Sequence, residues 1–207
     1  MSINAQCSTG ELPSPGGYRI PYIIERSRRQ PRTGGFLLLH GLGVDKDEYL
    51  GFYRTLSPKL AEAGFDVLRF DFPAHGESKA NASSFTLRNC AVDAIVAAEF
   101  LLQEIDSSRL HVFGTSFGAG PAIMAASFFQ SSLRNATLLA PAISYRELYI
   151  EPAHPLRTAK YSDFYRRAVL EGATVPVSDR AALNWRNAIE FAMCDLGHQL
   201  SAIASRT

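Results

Sequence analysis

The chain has 207 residues, enough for one domain with a sizeable hydrophobic core. Hydrophobic residues make up 46% and charged residues 20%, as in ordinary soluble globular proteins. The net charge of +1 excludes a large electrostatic field directed at nucleic acid or at a membrane surface, so we expect no nucleic-acid partner.

The N-terminal residues 1–17 are polar and rich in Gly, Pro and Ser, which predicts a flexible lead-in. They lack the apolar core of a signal peptide, so secretion is not expected. Three widely spaced cysteines, Cys7, Cys90 and Cys194, predict reduced thiols and a cytoplasmic location. No stretch approaches the ~18 apolar residues of a membrane span, so none is predicted.

From residue 18 onward, apolar runs and turn signals predict strands alternating with helices. The predicted strands cover residues 18–25, 36–39, 65–72, 109–113 and 133–140, and the predicted helices cover 49–63, 87–105 and 119–129. Pro21 cannot donate a ladder hydrogen bond, so its strand is predicted near a sheet edge. The alternation predicts an α/β protein with a mainly parallel sheet, flanking helices and right-handed crossovers.

The pattern changes after residue 145. Residues 146–179 are rich in Tyr, Arg and Pro and contain no strand-like run, which predicts a cap of short helices. Residues 180–204 carry an apolar stripe at helical spacing, which predicts one helix within a C-terminal unit, 180–207. The core of the protein is then predicted over residues 18–145.

A short motif joins the strand 109–113 to the helix 119–129. It reads G-T-S-F-G over residues 114–118, the pattern of a nucleophile elbow. In such a turn the Ser116 hydroxyl stands clear of the sheet, and the flanking glycines leave room where a Cβ would clash. The N–H of Phe117, at the start of the helix, points toward an oxyanion formed on Ser116. We predict Ser116 as a nucleophile; the alternative is a structural turn.

Three motifs in this order resemble the α/β-hydrolase family, most closely its serine-aminopeptidase or monoglyceride-lipase type of esterase. Besides the elbow, they are H-G-L-G over residues 40–43 and D-F-P-A-H-G-E-S over 71–78. Ala74 stands where the family has glycine. The resemblance, over residues 18–145, implies an α/β-hydrolase fold. It also implies an oxyanion hole made by the backbone N–H groups of Leu42 and Phe117.

The same resemblance implies a catalytic acid and then a histidine on two further strands. No strand-like run occurs between residues 146 and 207, so the chain is expected to end before the acid-bearing strand. His198, preceded by a glycine as in a catalytic loop, is a weak candidate base. The other histidines are predicted to brace loops (His40, His75), to lie in the core (His111) or to be solvated (His154). The triad acid is unknown, because none of Asp163, Asp179 and Asp195 follows a strand.

The predicted function is hydrolysis of small acyl esters or thioesters through Ser116, with turnover impaired by the missing base and acid. The alternatives are a non-catalytic remnant or binding module, and an acyltransferase on the same scaffold. Dispersed histidines and cysteines and the lack of a phosphate-binding loop predict neither a metal nor a cofactor. Five cap aromatics either line an apolar site or pack the cap: Tyr145, Tyr149, Tyr161, Phe164 and Tyr165.

A sheet that stops at the strand 133–140 would expose the backbone groups of that strand and the apolar surface beside it. Burial contributes about 25 cal/mol per Å² of apolar surface, and whole-domain stability is only ~5–15 kcal/mol. We therefore expect the protein to self-associate through this edge. Sedimentation velocity should show association that increases with concentration. A monomer with one cooperative calorimetric transition would contradict this expectation.

Overall fold

The computed structural model describes residues 6–105, 108–177 and 181–204. Six strands form one sheet in the order β1-β2-β4-β3-β5-β6. They are β1 (Gln6–Pro13), β2 (Arg19–Arg26), β3 (Gly34–Leu39), β4 (Phe65–Phe70), β5 (Leu110–Thr115) and β6 (Leu133–Leu139). The strands from β3 to β6 pair in parallel, whereas β1 and β2 run antiparallel to their neighbours. The predicted α/β class with a mainly parallel sheet is confirmed.

Six α-helices accompany the strands in the part of the chain that the structure describes. They are α1 (Phe52–Glu62), α2 (Leu87–Ile105), α3 (Ala119–Phe128), α4 (Pro155–Tyr161), α5 (Trp185–Met193) and α6 (Gly197–Ala204). In β3 and β4, Leu38 and Val67 pack against Tyr53 of α1, while Leu37 and Leu68 belong to the main core, which includes residues of α2 and α3. The central strands carry apolar side chains on both faces because helices cover both.

The predicted lead-in over residues 1–17 is wrong where the structure describes it, because Gln6–Pro13 form strand β1. Only Leu12 of this strand is buried, so its sequence lacks the apolar alternation that signals a strand. Backbone pairing with β2 holds it in place. The strand predicted near a sheet edge is second from the edge, since β2 lies between the edge strand β1 and β4. Pro21 lies opposite Glu11 of β1, just outside the stretch of β2 that pairs with β4.

The single helix predicted over residues 180–204 is also wrong, although residue 180 lies outside the described residues. The chain forms α5, leaves helical geometry at Cys194 with ψ 122°, and starts again as α6. The N–H of Gly197 donates to Asp195 Oδ1 at 2.8 Å. This local side-chain bond competes with the helix and begins a new one.

The region predicted as a cap, residues 146–179, consists mainly of short helical segments where the structure describes it. It contains two π-helical turns, Arg146–Ile150 and Arg166–Leu170, on either side of α4. A short antiparallel pair, β7 (Val175–Pro176) and β8 (Ala182–Leu183), joins it to α5.

The parallel end of the sheet is formed by β6, the strand expected at the edge. All its side chains are half-buried or exposed, and Leu139 is 45% exposed. Among the described residues, no helix is both long enough and apolar enough to cross a bilayer.

A buried carboxylate ties the turn between β1 and β2 to α2. Ser14 Oγ donates to Asp93 Oδ1 at 2.6 Å, and the Tyr18 hydroxyl donates to Asp93 Oδ2 at 2.8 Å. Burial raises the pKa of Asp93 to about 6, although both hydroxyl donors favour the charged form. The folded state therefore binds a proton at Asp93 more tightly than the unfolded chain does.

Replacement of this carboxylate by Asp93→Asn should change how stability depends on pH. The stabilisation from the raised pKa is complete below about pH 4 and is lost as pH rises through about 6. The wild type should therefore lose stability relative to the variant as pH rises. The difference between their free energies of unfolding should decrease by on the order of 2–3 kcal/mol between roughly pH 4 and pH 7. Urea unfolding measures it, with exposed Asp163→Asn as the matched control. A difference that stays constant with pH would contradict the assignment.

Candidate active site

Ser116 lies at the turn between β5 and α3, where it is half-buried. Its φ of 49° is in the left-handed region, which non-glycine residues adopt rarely. A Cβ on Gly118 would come within 2.3 Å of the Leu39 carbonyl oxygen, and a Cβ on Gly114 within 2.7 Å of the Gly118 carbonyl oxygen. Both contacts are shorter than real Cβ atoms allow, so the turn requires glycine on both sides of Ser116.

The loop after β3 lies directly beside this serine. A Cβ placed on Gly41 would be 3.6 Å from Ser116 Cβ. Leu42 follows at once, is half-buried and packs against the main core. No hydrogen bond joins the Leu42 N–H to an acceptor within the described residues. The structure thus brings together the loop with Leu42 and the turn with Ser116 and Phe117, the three residues predicted for nucleophile and oxyanion hole.

Two buried histidines brace the loops around the site, as predicted. His40 Nε2 accepts from the Phe72 N–H at 3.0 Å, and its Nδ1 donates to the Gly41 carbonyl oxygen at 2.7 Å. His75 repeats the arrangement, accepting from the Gly43 N–H at 3.1 Å and donating to the Pro73 carbonyl oxygen at 2.9 Å. Burial lowers the pKa of both rings, most strongly for His40. Both are neutral and use both nitrogens, so neither is free to act as a base.

Asp71 ties the same two loops together. It is buried and accepts from the Lys46 N–H and from Lys46 Nζ, each at 2.8 Å, and from the Glu77 N–H at 2.9 Å. Ala74, in the position where the resembling family has glycine, adopts φ 59°. Alanine here takes the left-handed conformation that glycine adopts without strain. Asp71 is therefore a structural residue of these loops.

The remaining histidines make no hydrogen bond to Ser116 within the described residues. His111 stacks on Phe36 with ring centroids 4.7 Å apart. His154 is exposed and accepts from the Leu156 N–H at the start of α4. His198, the weak candidate base, is exposed on α6 and makes no described contact with Asp195 or Ser116.

The acids that follow Ser116 in the chain have other surroundings. Asp195 caps α6, and Asp163 lies 3.5 Å from Arg166 in an exposed ion pair. Asp179 lies outside the described residues. The described structure therefore provides no acid–histidine pair for Ser116.

Four of the five cap aromatics are buried in the core, and Tyr145 contacts the turn. Tyr145, Tyr149, Tyr161 and Phe164 are all buried, and Tyr165 is 39% exposed. The Tyr145 hydroxyl donates to the Phe117 carbonyl oxygen at 2.8 Å, and its ring stacks on Phe191 of α5. Of the two alternatives, packing is confirmed for the four buried rings.

Sequence reasoning missed two side chains of this region. Glu48 accepts from the Gly41 N–H at 2.7 Å, and the Tyr53 hydroxyl donates to the Leu39 carbonyl oxygen at 2.9 Å. Tyr53 also lies 2.6 Å from Thr115 Oγ1, next to Ser116. Neither belongs to a motif. The only signal in the sequence was the apolar stripe of the predicted helix 49–63, which includes Tyr53; nothing indicated Glu48.

Comparison with known proteins gives one family. The family described as "alpha/beta hydrolase fold" matches residues 35–186 of the chain. A curated 2-hydroxy-6-oxononadienedioate/2-hydroxy-6-oxononatrienedioate hydrolase from Cupriavidus pinatubonensis is 34% identical over 89 residues, 42% of this chain and 29% of that protein. The match thus spans less than a third of that relative's length.

Solved structures share the fold. A hypothetical protein from Pseudomonas aeruginosa superimposes with a TM-score of 0.71 at 17% identity, covering 99% of this chain and 76% of its own. A thermostable carboxyl esterase from Bacillus coagulans gives a TM-score of 0.61 at 19% identity, covering 80% of this chain and 51% of its own. At these identities the likeness is one of fold.

The glycine after Ser116 provides a test of the turn geometry. Gly118→Ala places a Cβ against two backbone carbonyl oxygens, and backbone cannot move aside as a flexible side chain can. We expect the free energy of unfolding to fall by about 3 kcal/mol, the upper end of overpacking costs. Gly41→Ala is the matched control, because its Cβ would have nearest contacts of 3.5 Å or more. Urea unfolding compares them, and equal losses would contradict the geometry.

Proposed function

The chain belongs to the alpha/beta hydrolase fold family, and from this premise we propose that it is a serine hydrolase domain acting on carboxylic esters or thioesters through Ser116. One observation carries the proposal: Ser116 has left-handed backbone at a glycine-flanked turn, beside the loop that contains Leu42. Such a nucleophile elbow presents a hydroxyl to a bound acyl group. The esterase among the structural neighbours supports the class of reaction.

The proposed chemistry is acyl transfer through the serine. Ser116 Oγ bonds to the carbonyl carbon of the substrate, and the electron pair of the C=O bond moves to oxygen. The N–H groups of Leu42 and Phe117 donate to this oxyanion. Collapse of the intermediate expels the alcohol or thiol, which takes up the serine proton through solvent. Water then attacks the acyl-serine and releases the carboxylic acid.

Turnover by this chain is proposed to be slow. All five histidines lie within the described residues, and none forms a hydrogen bond with Ser116 there. Without a base the serine stays a neutral hydroxyl at neutral pH. An oxyanion hole and binding alone support a residual acceleration of ~10³–10⁴ over water.

The finer assignments belong to the same proposal. The motifs over residues 40–43 and 71–78 favour the serine-aminopeptidase or monoglyceride-lipase type of esterase. Free thiols at Cys7, Cys90 and Cys194 favour a reducing compartment such as the cytoplasm. The exposed strand β6 favours self-association through the sheet edge.

A fluorophosphonate probe with intact-mass detection tests the nucleophile. The wild type should gain the mass of one adduct, and Ser116→Ala should gain none. Ser127→Ala is the matched control, because Ser127 lies in α3 and its hydroxyl has no described hydrogen-bond partner. It should label like the wild type. A wild type that does not label at neutral pH would refute the proposal and favour a binding module.

A competing alcohol separates hydrolysis from acyl transfer. With an activated ester as substrate, hydrolysis yields the free acid even when the alcohol is present, whereas an acyltransferase yields the new ester. We expect mainly acid, because no element of the site described here selects a second acceptor. A predominance of the new ester would assign the chain to the acyltransferases.

A further inference from the structure

Glu48 has a backbone conformation that is close to exclusive to glycine. Its φ is 62° and its ψ is 173°. A residue with a Cβ is strained in this region, and the conformation persists where the surroundings enforce it. Leu50, two residues later, also has positive φ, so two non-glycine residues of this segment are strained. A glutamate that occupies a glycine conformation indicates that its side chain has a function.

The carboxylate of Glu48 is buried and serves backbone groups. The residue is 9% exposed, and its oxygens accept from the Gly41 N–H at 2.7 Å and the Tyr49 N–H at 3.0 Å. No cation forms a salt bridge with it among the described residues. Burial raises its pKa, and the two amide donors oppose that rise. Charge-assisted bonds of this kind are the stronger class of protein hydrogen bonds.

The carboxylate also lies next to Ser116. A Cβ built on Gly41 would be 3.5 Å and 3.6 Å from the two carboxylate oxygens of Glu48 and 3.6 Å from Ser116 Cβ. The Glu48 carboxylate and the Ser116 Cβ are therefore both immediate neighbours of Gly41.

The rest of the loop has anchors of its own. Gly43 is held by His75, and Lys46 is held by Asp71 through both its backbone N–H and its amine. These bonds join the loop to the segment after β4. They leave open the two torsion angles of Gly41, which has no side chain to restrict them.

Two hydrogen bonds fix those torsion angles. Glu48 holds the Gly41 N–H, and His40 Nδ1 donates to the Gly41 carbonyl oxygen at 2.7 Å. That carbonyl shares a peptide plane with the Leu42 N–H, and in a trans peptide the two point in opposite directions. With both peptide planes fixed, the direction of the Leu42 N–H is fixed as well.

We propose that Glu48 is a positioning residue, whose carboxylate holds Gly41 so that the Leu42 N–H faces the oxyanion formed on Ser116. The assignment rests on the proposed function of Ser116. Glu48 does not contact the reacting atoms in this role. It sets the orientation of a donor before the substrate binds, which is how an oxyanion hole lowers a barrier.

The test compares Glu48→Gly with the wild type in two measurements. Amide hydrogen exchange by NMR reports whether the Gly41 N–H keeps its partner, and the second-order rate constant of fluorophosphonate labelling reports the reactivity of Ser116. The variant should exchange Gly41 at least about tenfold faster and label at least about tenfold more slowly, since loss of an oxyanion donor costs ~10²–10³. Glu48→Gln, which keeps one acceptor oxygen, should lie between the two.

Leu50→Gly is the matched control, because Leu50 is strained, exposed and in the same loop. It should leave both rates within about twofold of the wild type. Loss of a glutamate with a purely structural role would lower the urea unfolding midpoint. Glu48→Gly also relieves backbone strain, so it should lower the midpoint no more than Gly118→Ala does. Unchanged exchange at Gly41 overturns the proposal, and so does faster exchange with unchanged labelling. If the wild type does not label at all, the proposed function fails, and the role of Glu48 fails with it.

Discussion

The whole site depends on how closely the start of α3 approaches the end of β3. Gly118 lies against the carbonyl oxygens of Leu39 and His40, at distances that leave no space for a Cβ. This backbone contact sets the separation between the turn that contains Ser116 and the loop that contains Leu42, because each begins within two residues of it. The proposed nucleophile and its proposed N–H donors therefore come together through backbone packing. This packing is possible only because residue 118 is a glycine.

Burial then determines what the polar groups around Ser116 do. His40 and His75 lose the tendency to be protonated and become fixed, neutral hydrogen-bonding groups. The buried carboxylate of Asp71 pairs with Lys46, and that of Glu48 serves two backbone amides. Together they form a polar frame around a serine that makes no hydrogen bond to a histidine within the described residues. The frame holds the loop that contains Leu42, while proton transfer from the serine needs a group that this frame does not supply.

The parts of the fold that could be predicted share one physical property. Strands β3, β4 and β5 are covered on one or both faces, so their apolar runs are visible in the sequence. Strand β1 was missed because its side chains are mostly exposed and only its backbone pairs. The break at Cys194 was missed because an apolar stripe continues across it, and a local bond from Asp195 interrupts the helix.

The order of strands and helices from β2 to β6 and the glycine-flanked turn at Ser116 could be predicted from the sequence, because these depend on residues that are neighbours in the chain. The sequence also indicated that His40 and His75 would brace their loops. The groups that these histidines bind, the bond from Tyr145 to the Phe117 carbonyl oxygen and the bond from Glu48 to Gly41 became visible only in the folded chain. Most of these partners are distant in the chain. Glu48 and Gly41 are close in the chain, but they meet only because the loop between them folds back on itself. These loops come together because parallel strands place their carboxyl ends at the same edge of the sheet.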